Sequence, residues 1–226
     1  MKTSYSIKEL SNFRILKEQT KKGTRSIRIL SNNACQYIEW AILGHLKEIN
    51  QNDFYLKESY FEDFYTEDPN NTNDDLLIIV LSFDLIYKSP YLPNRSKDIS
   101  EYIFERVLKF SKNNKYKPIF LIPEINCGFT YPDSEEFKWN NIYRSELLNN
   151  LISNGIDLIS LDDIQFSRAG SFTNEHLLAS SIIYSPEICG EIGIRIVGRI
   201  CQQFLHPTKL IAVDLDNTIW PGEIAE

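Results

Sequence analysis

The chain has 226 residues, 42% of them hydrophobic and 12% aromatic, and a formal net charge of −7. That apolar content fills a sizeable core and excludes bulk disorder. The acidic balance argues against nucleic acid as the main partner, since phosphate binding needs a basic face, and no apolar run approaches the ~20 residues that span a bilayer.

Residues 1–20 read as a short helix, with Ile7, Leu10, Phe13 and Leu16 at helical spacing. A basic cluster overlaps its end: Lys17, Lys21, Lys22, Arg25 and Arg28. It reads as a solvated helix end and loop, or as a dock for an acidic carrier protein. Ile27 to Leu30 is a first strand. Asn32 and Asn33 are placed to cap the next helix, whose Ile38, Ala41, Ile42, Leu46 and Ile49 share one side. Phe54 to Leu56 is a second strand, and residues 68–75 are a solvated loop. Leu76 to Leu81 is an unbroken apolar run, as expected of a strand covered on both faces.

Pro90 and Pro93 mark a loop. Residues 98–113 predict a helix with Ile99, Ile103, Val107, Leu108 and Phe110 toward the core, and Ile119 to Ile122 a fourth strand. Residues 136–153 predict another helix, with Gly155 as its C-cap. Ile156 to Leu161 is the fifth strand, and Asp162-Asp163 opens a short turn or helix. Pro186 starts the last long helix, 187–204, where proline is tolerated. His206-Pro207 is the natural boundary that follows. Strands alternating with helices imply an α/β fold: a mostly parallel sheet covered on both sides.

Four cysteines, Cys35, Cys127, Cys189 and Cys201, show no Cys-x-x-Cys spacing. With no signal peptide, they read as reduced thiols in the cytoplasm. Cys35 falls near the first turn of a helix, where a thiolate is stabilised; a buried structural thiol is the other reading. Trp40, Trp139 and Trp220 read as packing, and His45 as packed or solvent-facing.

The most informative stretch is Val213-Asp-Leu-Asp-Asn-Thr-Ile219. A short apolar strand, Leu210 to Val213, ends in two acids, Asp214 and Asp216. Open α/β sheets do chemistry at that carboxyl edge. Asp214 can attack phosphorus to give an aspartyl-phosphate. Asp216 can protonate the leaving oxygen and then activate water. Paired acids beside a phosphate need a cation, and a hard oxygen site suits Mg²⁺. Thr218 adds a hydroxyl for the phosphate. The plain alternative is a strand followed by an Asx turn at Asn217.

This stretch resembles the first motif of the haloacid dehalogenase (HAD) superfamily. Its extension through Trp220, Gly222 and Glu226 resembles the FkbH-like family, with Pro221 replacing a glycine. The stretch from Phe172 to Pro186 is similar to that family's joining region. The resemblance implies a flavodoxin-like, SGNH-hydrolase-like doubly wound domain over residues 1–207, and the start of a HAD phosphatase-like domain at 208–226. It implies a phosphatase and acyltransferase that takes a phosphorylated small acid and loads the acyl group onto a carrier protein. Asp214 would be the nucleophile, Asp216 the acid and base, and Mg²⁺ would be held by the Asp214 carboxylate and the Asp216 main chain. The superfamily's later Ser/Thr, Lys and second acidic pair do not occur within these residues.

An esterase or acyltransferase complete within the first domain is a separate expectation. An SGNH hydrolase would place a nucleophilic serine just after the first strand and a glycine after the third. Here Asn33 aligns with the nucleophile, the third strand exits through Ser82-Phe-Asp84, and Ile183-Tyr-Ser-Pro186 stands where histidine is wanted. Ser31, His176 and Asp163 could form a triad only if geometry united them. A non-catalytic docking domain for a carrier protein is the third expectation.

Overall fold

The computed structural model describes residues 6, 8–13, 23–60, 62–82, 95–123, 134–167 and 184–205. Helix α1 (residues 8–13) lays Leu10 and Phe13 against Tyr37, Trp40 and Ala41 of helix α2 (Gln36–Glu48). Strand β1 (Arg25–Ser31) enters α2 through a tight link, and strand β2 (Phe54–Leu56) follows it. Then come α3 (Asp63–Thr66), β3 (Leu76–Val80), α4 (Ser96–Asn113) and β4 (Ile119–Leu121). Helix α5 (Glu135–Lys138) runs through a π-helical stretch, Trp139–Tyr143, into α6 (Arg144–Ser153). Strand β5 (Asp157–Ile159), α7 (Asp162–Ser167) and α8 (Pro186–Phe204) complete the described chain.

The five described strands form one parallel sheet in the order β2-β1-β3-β4-β5. Every residue of β3 is buried, because helices cover both faces. Ile27, Ile29, Ile78 and Val80 face α2 and α8 on one side. Leu77, Ile79 and Phe120 face α4 and α6 on the other. Strand order reverses between β1 and β3, so the crevice at the carboxyl ends of these two strands is the switch point of the fold.

Several expectations change in detail. Asn32 and Asn33 do not cap α2; Cys35 holds the cap position and no side chain bonds there. The helix expected over 136–153 is widened at Trp139–Tyr143, which brings the fully buried Trp139 into the core beside α4. Arg25 and Arg28 belong to β1 and not to a solvated loop. Arg28 forms a two-pronged pair with Glu67 at 3.0 and 2.7 Å, and Arg25 lies over the rings of Phe54 and Phe204. Lys17, Lys21 and Lys22 lie outside the described residues.

Other punctuation holds. Gly155 takes a left-handed φ of 73° just after α6. Pro186 opens α8, and the Ser185 side chain accepts from Ile188 N–H at 3.4 Å. No described helix is long and apolar enough to cross a membrane.

Candidate functional site at the carboxyl edge

Chemistry in this fold is expected where β1 and β3 end. There the chain reads Leu30-Ser-Asn-Asn-Ala34, and every side chain from Ser31 to Asn33 is buried. Asn32 Nδ2 donates to Ser82 O at 3.0 Å, while Ser82 N–H donates to Asn32 Oδ1 at 2.8 Å. One amide side chain therefore mimics a ladder pair and ties the exit of β1 to the exit of β3. Asn32 Nδ2 also reaches Tyr65 Oη at 3.3 Å.

Asn33 sits inside this network. Its Nδ2 donates to Asn32 Oδ1 at 3.3 Å, and its Oδ1 accepts from the Cys35 thiol at 3.0 Å. Ser31 Oγ donates to Asn33 O at 2.7 Å and is engaged in the turn rather than presented to solvent. Burial pushes the Cys35 thiol up to about 12, outweighing the nearby Ser31 hydroxyl, which acts the other way. Cys35 is thus a neutral structural thiol, not a stabilised thiolate. Cys189, in the first turn of α8, is raised for the same reason, with Cys35 itself as a further cause.

The exits of β4 and β5 are tied by a buried arginine. Arg144 donates through Nε to Pro123 O at 3.0 Å and through a terminal nitrogen to Asp162 Oδ1 at 2.7 Å. The sequence carried a signal for it: Arg144, Leu147 and Leu151 share the buried face of α6. Asp163 pairs with Arg195 of α8 at 2.6 and 2.8 Å, and those bonds hold its carboxyl below the ordinary value. Arg195 also donates to Ser160 O at 2.6 Å. Asp163 therefore serves a strand-to-helix clamp, and Ser31 and Asp163 each have other commitments. His176 lies outside the described residues.

Asp214, Asp216 and Thr218 also lie outside the described residues, as do Cys127, His206, Trp220 and the whole stretch 206–226. Among the described residues no group of three or more His, Cys, Asp or Glu side chains is placed to hold a metal ion.

No family model matches the chain, and no curated protein sequence matches it. In three dimensions the chain is similar to the N-terminal part of the protein BF1531 from Bacteroides fragilis, which contains a phosphatase domain and was solved in complex with Mg. The TM-score is 0.71 at 21% identity, over 96% of this chain and 62% of that one. It is also similar to an acetyl xylan esterase, AlAXEase, with a TM-score of 0.56 at 12% identity over 77% of this chain and 99% of that one. Both are likenesses of fold. The chain spans 62% of the length of the Bacteroides protein's solved part.

Proposed function

We propose that residues 1–207 are the scaffold of an FkbH-like phosphatase and acyltransferase, and that 208–226 open its catalytic domain. The observation that carries this reading is the Val213–Ile219 motif, standing behind a domain whose fold is shared with a protein that contains a phosphatase domain. The donor set fits a hard cation: the Asp214 carboxylate and the Asp216 main-chain oxygen are oxygen ligands suited to Mg²⁺. When bound, the cation would offset charge on the phosphoryl oxygens.

In this reading an Asp214 carboxylate oxygen attacks phosphorus of a phosphorylated small acid. The bond from phosphorus to the substrate oxygen breaks, and that oxygen takes a proton from Asp216. Asp216 then removes a proton from water, which attacks the aspartyl-phosphate and releases inorganic phosphate. Thr218 Oγ binds a phosphoryl oxygen throughout. Transfer of the acyl group to a carrier protein, in the cytoplasm, is the further step that the family resemblance suggests.

The first domain serves this reading as scaffold rather than as esterase. Asn33 occupies the place of the serine nucleophile, and its amide is bound by Asn32 and Cys35. The test is phosphate release from phosphorylated small acids by a version of the protein continuing past Glu226. Release should require Mg²⁺ and disappear in Asp214→Asn; full activity in that variant would reject the assigned nucleophile.

A further inference from the structure

The two edges of the sheet are finished differently. At β2, Arg25 N–H donates to Asp53 O and Lys57 N–H to Ile27 O, so the main chain of Phe54 and Leu56 turns away from β1. Both residues are buried, at 1% and 5% exposure, and that edge is out of reach. At β5, Asp157 N–H donates to Pro118 O at 3.2 Å and Ile159 O accepts from Ile122 N–H at 3.0 Å. The alternation of the strand therefore turns the main chain of Leu158 and Ser160 outward. Leu158 is half-buried and Ser160 is exposed. An edge within reach is a template for a strand of another molecule.

Helix α8 occupies the acceptors of that template. Arg195 donates to Ser160 O at 2.6 Å, and a terminal nitrogen of Arg199 donates to Leu158 O at 3.5 Å. The helix runs against the strand, and the spacings agree: one helical turn rises ~5.4 Å, and successive outward carbonyls lie ~6.6 Å apart. Each guanidinium is also anchored away from the edge. Asp163 holds Arg195 at 2.6 and 2.8 Å. Gln202 Oε1 accepts from Arg199 at 2.9 Å, and Asp157 Oδ1 lies 3.5 Å from its Nε.

Between the arginines the helix carries Gly198, where an added Cβ would meet nothing within 4 Å. An open groove of about 360 Å³ runs there between β5 and α8. Space for a further strand exists beside β5, but the carbonyls such a strand would use are taken.

We propose that Arg195 and Arg199 are an edge guard, which keeps the sheet of one molecule from extending into the sheet of a second copy. Without them, two copies pair antiparallel through β5 about a two-fold axis at Ile159. That register sets Leu158 of one copy against Ser160 of the other, and each N–H meets the carbonyl that an arginine now holds.

Sedimentation of the full 226-residue chain and of Arg195→Ala/Arg199→Ala over a concentration series, with amide hydrogen exchange, tests this. The average mass of the variant should rise with concentration from the wild-type value toward a dimer, while exchange at Leu158 N–H slows. Removing two positive charges from a chain of net charge −7 deepens its self-repulsion, so weaker repulsion cannot cause the gain. Adding Ser160→Pro deletes an outward donor and no ladder bond, and should restore the wild-type mass. A folded variant with wild-type mass throughout, association that survives Ser160→Pro, or association without slowed exchange at Leu158 would overturn the proposal. Arg199→Ala leaves the Arg195–Asp163 clamp in place. If the double variant does not fold, the same gain and the same rescue are expected of Arg199→Ala, and wild-type mass there overturns the proposal.

Discussion

Asn32 and Ser82 exchange two hydrogen bonds, at 3.0 and 2.8 Å, across the point where strand order reverses. The side chain supplies one donor and one acceptor to a buried main chain, a role that few residue types fill. Asn32→Leu removes both bonds at once. We expect a loss of roughly 1–3 kcal/mol, the cost of leaving buried polar groups unmatched. Asn32→Asp should also destabilise, because a carboxylate cannot donate to Ser82 O. Urea unfolding followed by circular dichroism measures both losses; wild-type stability in Asn32→Leu would show that the clamp is dispensable.

The buried thiols predict an alkaline weakness. Burial raises Cys35 to about 12 from an ordinary 9.0, and it raises Cys189 as well. Both remain protonated in the folded chain when the unfolded chain begins to lose its protons. The contribution of Cys35 is complete below about pH 9 and is lost as pH rises toward 12, and that of Cys189 is lost in the same sense on the alkaline side. The slope approaches about 1.4 kcal/mol per pH unit for each thiol. The double variant Cys35→Ala/Cys189→Ala should show a shallower loss across that window. At pH 8, native alkylation should label the half-buried Cys201 well before Cys35 or Cys189.

Much of this architecture is legible in the sequence, for identifiable reasons. The unbroken run beginning at Leu76 announces a strand covered on both faces, and β3 is buried throughout. Pro186 and Gly155 mark the start of α8 and the end of α6 through their own backbone preferences. What the sequence hides is who meets whom. Asn32 reads equally well as a cap, and only the approach of β3 turns it into a clamp. Arg28 reads as part of a basic cluster until α3 brings Glu67 to it. At the carboxyl edge, Asn33 just past the exit of β1 is visible in the sequence. The bonds that bury its amide are not. Asp214 and Asp216 rest on motif alone, since they lie outside the described residues.

Glu135 predicts the opposite pH response. Its Oε2 accepts from Ser96 N–H, at the start of α4, at 2.6 Å, and its Oε1 accepts from Lys138 at 2.9 Å. The bond from Ser96 is the chief reason that its carboxyl falls to about 2 from an ordinary 4.5. A carboxylate at a helix N-terminus satisfies an orphan N–H and the helix dipole together. The contribution is complete above about pH 4.5 and is lost as pH falls toward 2. Glu135→Gln should therefore be less stable than wild type at pH 7, and the gap should close near pH 2. A gap that stays constant across acid titration of the melting temperature would assign the effect to packing.

Two glycines of one helix should respond in opposite directions. At Gly193 an added Cβ would lie 2.8 Å from the Ala41 Cβ and 3.1 Å from the His45 ring, on the seam where α8 meets α2. His45 is fully buried there and faces Gly190 O through Nε2 at 3.1 Å, so neither helix can shift without disturbing that bond. Gly193→Ala should cost about 1–3 kcal/mol, as overpacking does. At Gly198, five residues on, an added Cβ meets nothing within 4 Å. Gly198→Ala should stabilise the fold by about 0.5–1 kcal/mol, because alanine loses less backbone freedom in a helix. Thermal melts of the two single variants decide it: the shifts must differ in sign, and a loss at both positions would place α8 closer to its neighbours than the seam at Gly193 requires.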